Sequence, residues 1–265
     1  MLEQSIRNKI NSKGIPLKEW NLRINRGILT GYNDAFIIST EKKDELISAD
    51  PKSAELIRPI LRGRDIKRYT YTFADLWLIS TFPSRHYDID NYPAIKQHLL
   101  SYGIERLEQT GLKHIVDGIE IKARKKTSNK WFETQDSISY WNEFFKQKIV
   151  YREISDTMDA CMVESEYMLN NKCYLITGDH LEYILAFLNS NLFTKIILPQ
   201  TNVTGGKGEG FLSEISLLIP SSDIESEFLE LYNQRQNGES VDVDVDKLFC
   251  TLYGLTDEET SYIIE

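Results

Sequence analysis

Long apolar runs are missing from this sequence of 265 residues. None approaches the roughly 20 residues that a membrane-spanning helix needs. The first residues, MLEQSIRNKINSKG, are charged and lack the apolar centre of a signal peptide. The three cysteines and four histidines follow no CxxC or zinc-ligand spacing. We therefore expect a cytoplasmic protein with reduced thiols and no membrane partner.

Motifs of the common enzyme classes are missing too. There is no Rossmann glycine fingerprint, no F-x-G-x-G for S-adenosylmethionine, and no Asn-Pro pair that could form an N-P-P-[YF] adenine pocket. TGGKGEG (204–210) does not match the P-loop spacing. DVDVD (242–246) lacks the glycine and the closing glutamate of a calcium loop, so we interpret it as a charged helix start. We expect this chain alone to be no enzyme and to hold no cofactor or metal.

Apolar residues make up 41% of the chain, which is enough for a globular core. Short apolar runs predict strands, and apolar residues three and four apart predict helices. Because the two kinds interleave without regular βαβ units, the pattern predicts an α+β fold with a helical C-terminal end. The predicted strands are 35–39, 75–81, 148–153, 160–164, 172–177 and 214–220. The predicted helices are 2–12, 92–108, 180–198, 222–234 and 243–263, and 205–210 is predicted to be a loop.

Charge is distributed unevenly along the chain, whose net charge is −9. Residues 222–265 hold twelve acidic and two basic residues, which leaves 1–221 at +1. Within that part, residues 113–130 hold six basic residues against Asp117 and Glu120. Since pattern and charge both change near 221, we predict a body at 1–221 and an acidic helical segment at 222–265.

Three basic or polar stretches are candidate nucleic-acid contacts, because cations anchor on phosphates while amides and aromatic rings can read or stack on bases. One is the tip of GYNDAFII (31–38), with Arg23 and Arg26 before it. Another is LRGRDIKRY (61–69), and the third is KARKKTSNKWF (122–132). Lys207, in the glycine-rich loop, could touch phosphates as well. Each stretch alone is also compatible with a solvated turn.

Two other functions remain open. Glu120 and Lys122 have the E-x-K spacing of metal-dependent nucleases, for which Asp88 or Asp90 could supply the second carboxylate. The acidic segment could instead make the chain a protein–protein adaptor.

The segments NRGILTGYNDAFII, AELIRPILRGRDIKRY, DLWLIST, NYPAIKQHLL, KWFE, KIVYREIS, YILAFLNSNLFTK and DKLFCTLYGLTDEE occur in this order. Together they resemble the TaqI-type C-terminal specificity domain, or target recognition domain. That domain occurs in type IIG restriction–modification enzymes, a group of type II restriction enzymes, and in related N6-adenine DNA methyltransferases. The resemblance extends from about residue 15 to 260.

The resemblance implies a mixed-sheet, DNA-binding specificity domain that reads duplex DNA without catalysing a reaction. It implies an N-terminal DNA methyltransferase domain, outside this chain, that holds S-adenosylmethionine and the target adenine. The DNA target sequence and cleavage by the parent enzyme are left open. The candidate DNA-binding residues are Arg26, Tyr32, Asn33, Arg62, Arg64, Lys67, Arg68, Lys122, Arg124, Lys125, Lys126, Lys130 and Lys207.

Overall fold

The computed structural model describes residues 2–153, 157–164, 166–200 and 208–265. Its strands form antiparallel and mixed sheets and its C-terminal end is helical, which confirms the predicted α+β class. The strands are β1 (Ile15–Pro16), β2 (Leu22–Arg26), β3 (Ile37–Ser39), β4 (Ile57–Leu61), β5 (Ile66–Lys67), β6 (Thr70–Tyr71), β7 (Leu76–Ile79), β8 (Lys113–Val116), β9 (Ile119–Lys122), β10 (Lys148–Arg152), β11 (Ala160–Val163), β12 (Met168–Leu169), β13 (Cys173–Gly178) and β14 (Ser216–Leu217). The helices are α1 (Leu2–Lys13), α2 (Asn33–Phe36), α3 (Thr40–Ala49), α4 (Pro93–Leu100), α5 (Ile104–Leu107), α6 (Leu181–Leu188), α7 (Glu209–Leu212), α8 (Ser222–Gln236), α9 (Asp242–Tyr253) and α10 (Asp257–Ile264), with shorter 3-10 turns between them.

The first sheet has the strand order β11-β10-β13-β2 and is antiparallel throughout. Successive side chains of a strand lie on opposite faces. Ile149 and Tyr151 of β10 therefore enter one hydrophobic cluster, while Val150 enters a second cluster on the other face. This sheet separates the two halves of the core. Its strands β10, β11 and β13 confirm predicted strands, whereas β2 (LRINR) is not predicted because it has no apolar run.

On one face of the first sheet lie α1, α6 and the C-terminal helices. The predicted helix 180–198 is interrupted here, because α6 ends at Leu188 and a π-helical segment begins at Phe193. The buried Asn189 side chain bonds both the N–H and the C=O of Ala160 in β11, which fixes the interruption. No single helix in the described ranges is long and apolar enough to cross a membrane. The segments Leu181–Leu188 and Phe193–Gln200 would be long and apolar enough only if taken together, and they are bent by 61° at the break between them.

The second sheet, with the order β12-β4-β7-β3, packs on the other face of the first sheet, together with α3 and α4. The predicted strand 35–39 begins only at Ile37, since Asn33–Phe36 forms one helical turn that buries Ala35 and Phe36. The predicted helix 92–108 is divided into α4 and α5 at Gly103, whose φ is +85°.

The C-terminal helices are continuous with the core of the body. Phe228 of α8 contacts Tyr183 of α6 and Phe249 of α9, with ring centroids 5.0 Å and 4.7 Å apart. The boundary predicted near 221 lies at the start of α8, and the apolar core continues across it. Within the predicted strand 214–220 only Ser216–Leu217 forms a strand, which pairs with β1. Of the predicted loop 205–210, residues 205–207 lie outside the described residues, and Glu209 and Gly210 begin α7.

Candidate nucleic-acid interface

Strands β8 and β9 form a hairpin closed by Asp117 and Gly118. Both turn residues have positive φ, +51° and +79°. A two-residue turn of this kind matches the natural twist of two antiparallel strands, and the Asp-Gly pair favours it. The hairpin is therefore a twisted two-stranded ribbon with a short, defined tip.

The two faces of this ribbon differ in exposure. The register pairs Lys113 with Lys122 and Ile115 with Glu120, so these four side chains share one face, and all four are exposed. Ile115 is 79% exposed. On the other face His114 is half-buried and lies 3.9 Å from Glu108, beside α5. At its base one face of the ribbon thus packs on the body and the other faces solvent. Near the tip both faces are open, because Ile119, on the same face as His114, is also exposed.

The root of the hairpin is organised by Arg124, which is 4% exposed. Its guanidinium donates hydrogen bonds of 2.6 to 2.8 Å to four backbone carbonyls. Burial lowers the pKa of Arg124 to about 10. Although the sequence predicts Arg124 to contact DNA, its guanidinium is buried and bonded to carbonyls of the domain itself. The four acceptors belong to Thr30, Leu107, Trp131 and Glu133.

Exposed lysines surround this root, and we refer to them as the lysine surface. Gln109 holds residues 127–130 in place, because its C=O accepts from the Thr127 N–H and its Nε2 donates to the Lys130 C=O. Lys113 pairs with Glu120 at 2.8 Å, and Lys130 lies over the ring of Phe132. In the described part of the chain the other three members form no ion pair. The lysine surface consists of Lys113, Lys122, Lys125, Lys126 and Lys130.

The tip of GYNDAFII lies against the same region. Gly31 has a φ of +81°, and a side chain there would meet Gln135 and Arg124. Thr30 Oγ1 donates to Asn33 Oδ1 at 2.7 Å, which shapes the turn before α2. Tyr32 is half-buried, whereas Asn33 is exposed. The structure therefore brings Tyr32 and Asn33 together with the root of the hairpin.

A second group of the predicted residues surrounds the turn at Asn170. Arg26 donates to the Asn171 carbonyl at 3.1 Å and pairs with Glu153 at 3.1 Å. The Asn170 side chain accepts from the Gly63 N–H at 3.3 Å, which brings the turn of LRGRDIKRY alongside. Arg26 and Arg64 are both exposed here.

The four basic residues of LRGRDIKRY differ in their contacts: two are bonded within the domain and two are exposed. Arg62 is held by Asp65 through two hydrogen bonds, which raise the pKa of its guanidinium. Arg68 donates to Asp242 and to the Asn189 carbonyl, so it connects the body to the C-terminal helices. Arg64 and Lys67 are exposed and form no ion pair with any described residue. Lys207 lies outside the described residues.

The residues considered for a nuclease have other partners. Asp88 caps the short turn at 89–91, Asp90 pairs with Lys96, and Glu120 pairs with Lys113. Within the described ranges no three His, Cys, Asp or Glu side chains are grouped so that they could hold a metal ion.

Comparison with known proteins identifies this arrangement. The model of the TaqI-like C-terminal specificity domain matches residues 58–204, more than half of the chain. The chain belongs to this family. The match includes the hairpin, the lysine surface and the turn of LRGRDIKRY. The specificity domain is therefore of the kind that serves target recognition in restriction–modification enzymes.

Two solved structures share the fold of this specificity domain. One is the type IIL restriction–modification enzyme MmeI in complex with DNA (TM-score 0.57, 15% identity). The aligned region covers 94% of this chain and 35% of the enzyme. The other is the type IIG restriction endonuclease BpuSI (TM-score 0.57, 14% identity). The aligned region covers 100% of this chain and 32% of that enzyme. The chain thus spans about a third of either enzyme. A search of curated proteins found no match.

Proposed function

We propose that this specificity domain binds duplex DNA and reads the target sequence of a type IIG-like restriction–modification enzyme, without catalysing a reaction itself. The observation that carries the proposal is the lysine surface. Lys122, Lys125 and Lys126 are exposed and unpaired among the described residues, and a protein that places such cations on phosphates gains affinity by releasing counterions.

The acidic segment lies away from this surface. Helices α8 to α10 pack into the cluster on one side of the first sheet, whereas Leu107, at the root of the hairpin, packs on the other side. A negative net charge of the whole chain is therefore compatible with DNA binding, because the acidic residues and the lysine surface lie across the sheet from each other.

The candidate contacts lie close enough together along the chain to belong to one DNA site. Arg26 and Tyr32 are six residues apart on one chain segment, so their Cα atoms lie at most about 20 Å apart. At roughly 3.4 Å per base pair this upper limit corresponds to at most about six base pairs. The Asn170 turn and the tip of GYNDAFII could thus contact one continuous site.

We further propose that the parent protein contains an N6-adenine methyltransferase domain N-terminal to this one, and that this domain is the intramolecular partner. S-Adenosylmethionine would bind there, because this chain has neither F-x-G-x-G nor N-P-P-[YF]. When bound, that cofactor supplies the methyl group, and the residues of this chain would position the duplex.

The test is binding of the chain to a fluorescent duplex of random sequence at several salt concentrations. We expect log Kd to rise linearly with log salt, since each phosphate contact contributes about 0.9 to the slope. Absence of duplex binding would favour the adaptor hypothesis. Magnesium-dependent cleavage of the duplex would favour the nuclease with Glu120 and Lys122.

A further inference from the structure

We propose that the exposed face of the β8–β9 hairpin enters the major groove of the target duplex and reads bases there through Ile115 and Glu120. This inference rests on the proposed DNA binding and adds to it the residues that determine sequence preference.

The first reason is the exposure of apolar side chains at the hairpin. Ile115 is 79% and Ile119 66% exposed, and Leu112 at the base is 60% exposed. Single exposed apolar residues are common, but here Ile115 on the proposed reading face and Ile119 on the other face near the tip are both exposed on one short element. Such an element has apolar surface to bury when a partner binds.

The second reason is the chemistry of the exposed face. Lys113, Ile115, Glu120 and Lys122 share it. In the major groove isoleucine can contact the methyl group of thymine, a carboxylate can accept from the cytosine amino group, and lysine can donate to guanine. The four side chains therefore offer complementary groups to three bases. Glu120 and Lys122 acquire a role that needs no metal ion.

The third reason is dimension and charge, which favour DNA over a protein partner. The major groove is about 12 Å wide and admits a two-stranded ribbon. Only two acidic residues, Asp117 and Glu120, lie in 113–130 beside the five exposed lysines of the lysine surface. Lysines at the base of the ribbon could contact the phosphates on either side of the groove.

The fourth reason is that the ribbon is held firmly. Arg124 connects its root to the tip of GYNDAFII through the Thr30 carbonyl and to α5 through the Leu107 carbonyl. A base-reading element must be fixed relative to the phosphate contacts, because reading depends on where each side chain meets the base edge.

The experiment is selection from a pool of random duplexes with four chains: the wild type, Ile115→Ser, Glu120→Ala, which removes the acceptor, and the control Leu229→Ser. Leu229 is 45% exposed and lies on α8, away from the hairpin. We expect all four to bind the unselected pool with similar affinity. The wild type and the control should enrich the same motif, while each hairpin variant should lose its preference at one or two positions.

A second measurement tests the contact with thymine. The duplex enriched by the wild type is prepared with deoxyuridine in place of thymidine, which removes only the methyl groups from the major groove. Wild-type binding should weaken by about fourfold for each thymine methyl group that Ile115 touches, and binding of Ile115→Ser should not change.

The outcomes separate the two proposals. If the hairpin variants bind and enrich the wild-type motif unchanged, the hairpin does not read bases, and its apolar tip belongs to a protein interface. If no chain, the wild type included, binds any duplex, the proposed function fails and the hairpin inference with it.

Discussion

Arg124 Nη1 donates a 2.8 Å hydrogen bond to the carbonyl oxygen of Thr30, 94 residues away in the sequence. The bond joins the most basic stretch of the chain to the turn that precedes α2. Arg124 also lies over the ring of Phe36, with 5.1 Å between the guanidinium carbon and the ring centroid. One buried cation therefore fixes the tip of GYNDAFII and the root of the hairpin relative to each other.

We expect Arg124→Ala to destabilise the domain by roughly 3–5 kcal/mol, because it removes the donor from four carbonyls, most of them buried. Urea unfolding would measure the loss. The matched control is Lys125→Ala, which removes the same charge from the neighbouring exposed position and should change the unfolding free energy by less than about 0.5 kcal/mol. Equal stability of the two variants would contradict the structural role of Arg124.

Three of the four strands of the first sheet are predictable because they are buried on both faces, whereas β2 (LRINR) is only partly buried and has no apolar run. KIVYRE, ACMVE and KCYLIT are short apolar runs between polar turns, and β10, β11 and β13 occupy them within one or two residues. The apolar pattern alone determines such strands. The resemblance to the specificity domain then indicated the class of function, which no single motif carried.

The hairpin could have been found from the sequence, and Arg124 could not. Asp117-Gly118 between KHIV and IEIK is a typical signal of a two-residue hairpin turn. Local sequence does not distinguish Arg124 from Lys125, because the burial of Arg124 depends on carbonyls far away in the chain. The interruption after α6 likewise depends on β11, through Asn189 and Ala160.

Arg64 and Arg68 form a matched pair for separating DNA binding from stability. Arg64 is exposed, whereas Arg68 donates at 2.8 Å to Asp242 and at 2.7 Å to the Asn189 carbonyl. We expect Arg64→Ala to reduce the salt slope of duplex binding by about 0.9 and to leave the unfolding free energy unchanged. Arg68→Ala should lower the unfolding free energy by about 1–3 kcal/mol at an unchanged slope. The reverse pattern would show that Arg68 contacts phosphate.

Asp246 makes stability depend on pH. The carboxylate is buried and accepts the N–H of Asn191 at 2.9 Å, and burial raises its pKa from 3.8 to about 6. Because the folded protein favours the protonated carboxyl, this group contributes stability below about pH 4 that is lost as pH rises through 6. Asp246→Asn stays neutral and keeps an acceptor oxygen. It should therefore gain about 2–3 kcal/mol relative to the wild type between pH 4 and pH 7, as measured by urea unfolding. A difference that does not vary with pH would contradict the raised pKa.

The lysine surface should set the salt dependence of duplex binding. Three of its members form neither an ion pair nor a ring contact with any described residue and are exposed, so replacing them by alanine should leave the fold intact. This variant carries alanine at Lys122, Lys125 and Lys126. If each lysine neutralises one phosphate, the slope of log Kd against log salt should fall by about 3. The control carries alanine at Lys18, Lys52 and Lys247, exposed lysines on other elements, and loses the same charge. Equal slopes for the two variants would mean that net charge, rather than this surface, determines binding; a smaller slope for the first variant alone would locate the phosphate contacts at the root of the hairpin.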